Sequence, residues 1–126
     1  MNAAVVIPLS NILLVAAGGA IGCVARYLSI AQISRLNPSA FPLGTLLVNI
    51  LGSLLIGVIM AKYGAQQSAR LFLVTGILGG FTTFSAFSWD VLQLLQRGQH
   101  GWAIAYIGGS VAISLLAVVL GYQLGK

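Results

Sequence analysis

Acidic residues are nearly absent from this chain: one Asp and no Glu stand against six Lys and Arg, for a formal charge of +5 over 126 residues. Charged residues of both signs make up only 6% of the sequence and hydrophobic ones 59%, and the mean hydropathy is +1.02. A small domain exposes much of its surface, so a soluble fold of this size has nowhere to put that much apolar area. Lipid is therefore the expected solvent. General acid–base chemistry needs titratable groups that can be paired, and the lone Asp90 and the lone His100, which falls in a loop, do not supply them. That excludes an enzyme. The basic residues are scattered singly, which reads as membrane flanks and excludes a nucleic-acid face. A single cysteine, Cys23, excludes an internal disulfide and a Cys-based metal site. No basic segment precedes the first apolar run, so that run is read as part of the fold rather than as a signal peptide.

What is present is apolar length. A spanning helix needs about 20 mainly apolar residues, and windows of that size fit over about 11–34, 43–61, 71–95 and 102–124. The segments "RLNPSAFP" (35–42), "KYGAQQSAR" (62–70) and "QRGQHG" (96–101) turn the chain between them. Trp102 and Tyr122 fall where amphipathic rings favour the membrane interface. The expectation is an all-α membrane protein, one four-span domain over 1–126, with both termini on one side. Gly18 with Gly22, Gly76 with Gly80, and Gly121 with Gly125 recur at the spacing that lets helices approach closely in lipid. No sequence repeat relates the two halves, so internal symmetry would require a second copy of the chain.

Neutral polar residues form three stripes at helical spacing. Thr45, Asn49 and Ser53 share one face of the second span, and Tyr106, Ser110 and Ser114 one face of the fourth. On the third, Thr82, Ser85 and Ser88 lie three apart beside Phe81, Phe84 and Phe87. Any one stripe is explained by hydroxyls bonding their own helix or a neighbour. Three in one small bundle can line a continuous uncharged path for an ion that must be held lightly. O–H and N–H donors with the electropositive edges of aromatic rings favour an anion. Two glycines followed by two threonines in "ILGGFTT" predict a break in the third span, whose freed carbonyls need protein, water or a cation to satisfy them.

"GTLLVN" (44–49), the glycine pair with "TTFSAFS" (82–88) and the four-span length resemble the Fluc-type fluoride channels over essentially the whole chain. The resemblance implies a dual-topology homodimer, two chains antiparallel in a bacterial inner membrane, passing fluoride passively through two pores. It implies that Phe84 and Phe87 present ring edges to fluoride and that Asn49 is a pore-lining donor. Thr45, Ser85, Tyr106, Ser110 and Ser114 would complete the lining, and the carbonyls of Gly79 and Thr82 from both chains would hold a central Na⁺. The chain departs from the family pattern at Ala86, usually a hydroxyl, and at Asp90, usually Glu. Arg26 matches a family arginine. Counted inward from the loops, Arg26 and Asp90 lie about two turns from the same membrane face, which predicts an ion pair or a shared vestibule. The rival readings are a small proton-coupled multidrug-type transporter, which would need a carboxylate in a first span that has none, and a non-transporting membrane assembly protein.

Overall fold

The computed structural model describes residues 3–126. Helix α1 spans Leu9–Leu36 and α2 spans Leu43–Tyr63. The third crossing is composite: a short α3 (Gln67–Ala69) runs into a π-helical stretch, Arg70–Leu78, then one turn of α4 (Gly79–Phe81), and α5 resumes at Phe84–Gln96. Helix α6 closes the fold at His100–Gly125. Among the described residues, four crossings are long and apolar enough to span a membrane, the third being Gln67–Gln96 as a whole. The protein is a multi-pass membrane protein. Each crossing extends a few residues past its apolar window, because a helix satisfies its own backbone and continues into the polar interface at no cost in unpaired groups.

The expected break lies at Thr82 and Thr83, whose backbones are extended at φ −90°, ψ 155° and φ −154°, ψ 116°. Thr83 caps the second half: its Oγ1 accepts from the Ala86 N–H at 3.1 Å. The π-helical stretch before the break was not foreseen. Its carbonyls lie against the small-residue face of α1, where backbones touch directly.

Two helix pairs organise the bundle, α2 with α6 and α1 with the first half of the third crossing. Glycine permits both. A Cβ on Gly76 would meet the Gly18 Cα at 2.9 Å, and one on Gly57 would meet the Tyr122 nitrogen at 2.6 Å. One on Gly125 would lie 2.6 Å from the Val58 carbonyl. Large apolar side chains such as Leu13, Val24, Ile104 and Leu116 point outward, as lipid allows. The interior holds Val48, Leu78 and Phe81 near the break and Leu94, Ala103 and Tyr106 nearer the end of the third crossing.

Candidate functional site

Part of each polar stripe meets at one cleft of about 360 Å³ beside the break. Asn49 and Ser53 reach it from α2, Ser110 and Ser114 from α6, and Thr82, Thr83, Phe84 and Phe87 from the third crossing. None of these residues carries a charge. The Phe84 and Phe87 ring centroids are 5.4 Å apart with planes tilted by 42°. Phe84 is 77% exposed, so one wall of the cleft belongs to no other part of this chain. Ser110 is 7% exposed, and its buried Oγ has no hydrogen-bond partner among the described residues. An unpaired buried hydroxyl costs about 1–3 kcal/mol. Ser110 is among the residues that line the cleft, so this unspent donor lies in its wall.

Asn49 does more than line the cleft. Its Oδ1 accepts from the Thr83 N–H at 2.8 Å and its Nδ2 donates to the Thr83 carbonyl at 3.0 Å. The amide thus mimics a neighbouring backbone and clamps the extended residue, leaving its second N–H free. In an unbroken helix the Thr83 N–H would serve the Gly79 carbonyl and the Ala86 N–H the Thr82 carbonyl. Both donors are spent elsewhere, on Asn49 Oδ1 and Thr83 Oγ1. The Thr82 hydroxyl turns back on its own helix, donating to the Leu78 carbonyl at 2.8 Å.

The remaining expected residues lie around the cleft rather than in its lining. Tyr106 is fully buried, packed at a tilt against Phe87 with ring centroids 5.1 Å apart, and its hydroxyl donates to Asp90 Oδ2 at 2.9 Å. Thr45 is buried. Ser85 is exposed, with its Oγ 3.2 Å from Thr83 Oγ1. The expected ion pair does not form within the chain. Arg26 donates through Nε to the Gly80 carbonyl at 3.0 Å, while Asp90 takes the Tyr106 hydroxyl. Counting turns gave the two residues a similar depth, but Arg26 meets the turn before the break while Asp90 meets Tyr106 beyond it. Thr83 was missed, although a threonine just before a helical run is a recognisable cap. Its pairing with Asn49, 34 residues away, left no mark in the sequence.

The profile of the family described as "CrcB-like protein, Camphor Resistance (CrcB)" matches residues 13–122. The chain belongs to the CrcB-like family. The protein "Fluoride-specific ion channel FluC" of Rhizobium meliloti is 53% identical over 121 residues, covering 92% of this chain and 96% of the relative. Those of Agrobacterium fabrum and of Cereibacter sphaeroides are 51% and 50% identical, covering 92% and 90% of this chain and 96% and 92% of the relatives. The matched residues include all those that line the cleft.

Proposed function

We propose that this chain is a fluoride-specific channel of the bacterial inner membrane that lets fluoride leave the cytoplasm passively, as the names of its relatives suggest. The observation that carries the reading is the acid-free cleft with the buried, unpartnered Ser110 hydroxyl in its wall. A small anion sheds its water only where donors replace that water, and a carboxylate in the path would repel it. Ser110, Ser114, the free N–H of Asn49 and the positive edges of Phe84 and Phe87 are such replacements. Tyr106, Thr45 and Ser85 flank the path, and Arg26 lends positive potential near the break.

Two copies complete the pathway. The open wall at Phe84 is the surface an antiparallel partner would cover, giving two pores related by a two-fold axis in the membrane plane. The carbonyls of Gly79 and Thr82, which have lost their helical donors, suit a Na⁺ shared between the copies. Bound there, the ion would satisfy the freed carbonyls and offset the charge of nearby anions.

The test is ion release from liposomes carrying the purified protein, read with fluoride and chloride electrodes. Fluoride is expected to leave rapidly and chloride to stay inside. Equal release of both anions, or of neither, would remove the assignment.

A further inference from the structure

Arg26 is a charge inside a spanning helix, ten residues before the end of α1, or about 15 Å along its axis. A charge at that depth needs a partner, and the only acid in the sequence is committed to Tyr106. The partner it has is a backbone carbonyl, that of Gly80, at 3.0 Å from Nε. Gly80 is the middle residue of α4, the single turn between the π-helical stretch and the break. An unbroken helix would satisfy its carbonyl with the Phe84 N–H, but the extended backbone at Thr82 and Thr83 carries Phe84 out of that register.

The face of α1 that bears Arg26 is fitted to this turn. A Cβ on Gly80 would meet the Gly19 carbonyl at 2.7 Å and the Cys23 nitrogen at 3.0 Å, and one on Gly22 would meet the Phe81 nitrogen at 3.0 Å. With the backbones that close, the root of the Arg26 side chain has little room to shift relative to its acceptor. Lysine would not replace it directly, because the Nε–H lies partway along the arginine side chain and an ammonium sits at the tip.

We infer that Arg26 is a positioning residue: its guanidinium takes the Gly80 carbonyl and stabilises the interrupted turn, leaving the Gly79 and Thr82 carbonyls for the cation. The role toward the cation rests on the sodium site proposed above; the contact with Gly80 does not. Gly80–Phe81 is the only Gly–Phe peptide in the sequence. Carbonyl-¹³C glycine with ¹⁵N phenylalanine therefore isolates the Gly80 carbonyl in solid-state NMR of the intact protein in lipid.

The experiment compares wild type, Arg26→Met and Arg26→Lys by that resonance and by the sodium concentration giving half-maximal fluoride flux. Arg26→Met should shift the Gly80 resonance and raise the sodium requirement by roughly tenfold or more, the loss expected for a hydrogen bond from a charged donor. Arg26→Lys should recover part of both changes, and its resonance decides the matter if the methionine variant does not fold. A Gly80 resonance unmoved by either substitution overturns the contact. A moved resonance with an unchanged sodium requirement overturns the role toward the cation. If wild-type flux is indifferent to sodium, the cation reading falls, and the Gly80 resonance alone decides whether Arg26 holds the turn.

Discussion

Phe84 and Phe87 show how one residue type can serve two purposes at neighbouring positions. Phe87 is half-buried against Tyr106 and supports the bundle, whereas Phe84 projects from it. Replacing either with Ile keeps apolar bulk and removes the positive ring edge. Each Phe→Ile protein should remain assembled while its fluoride flux falls roughly tenfold or more, since about 1.4 kcal/mol on the barrier suffices for that. Wild-type flux in both would end the role of the rings. Ser110 allows a prediction of opposite sign for stability and activity. Its hydroxyl has no partner to lose, so Ser110→Ala should leave the unfolding temperature unchanged or raise it, relieving up to about 1–3 kcal/mol of unsatisfied burial. Its flux should nevertheless drop. A destabilised Ser110→Ala protein with normal flux would make the serine a packing residue.

At the scale of elements, the third crossing is defined by what it rests on. Asn49 of α2 clamps its extended residue, Thr83 caps its second half, and the glycines of α1 receive its first half at backbone contact. Adjacent glycines of α1 separate that contact from mere small-residue composition. A Cβ on Gly18 would meet the Gly76 Cα at 2.9 Å, whereas one on Gly19 would find only the Gly76 carbonyl at 4.0 Å. Gly18→Ala should therefore cost about 1–3 kcal/mol through overpacking, and Gly19→Ala little. Thermal unfolding of the two purified variants in detergent measures this directly. Equal stabilities would mean that α1 and the third crossing are not packed as closely as described.

For the whole molecule the question is orientation. With both termini on one side, that side carries Lys62, Arg70 and Lys126 and the other Arg35 and Arg97, joined by Arg26 if it reaches the interface. Topology follows an excess of Lys and Arg in short cytoplasmic loops, and almost no excess exists here. Copies should insert both ways, which supplies an antiparallel pair. A version with several lysines added after Lys126 and the loop arginines neutralised should insert in one orientation, and the mirror design in the other. Each alone is expected to be inactive, and co-expression should restore fluoride export from cells. Conduction by either fixed-orientation protein on its own would refute the antiparallel dimer.

Several features were legible in the sequence because they depend on local chemistry repeated along the chain. Apolar length set the crossings, helical spacing set the polar faces of α2 and α6, and Gly-Gly before Thr-Thr marked the break, since lipid tolerates only self-satisfied backbone or a protected interruption. The partners were not legible. Asn49 could be read as a donor on a face, but its double bond to Thr83 arises only when α2 lies beside the break. Arg26 and Asp90 could be counted to a similar depth, but packing brought one to Gly80, before the break, and the other to Tyr106, beyond it. Nor did composition disclose the π-helical stretch, which lies where α1 brings its glycines against the third crossing. A helix's length and period come from its own residues, whereas its rotation, its interruptions and the hydrogen bonds of its polar groups come from whichever surface it is packed against.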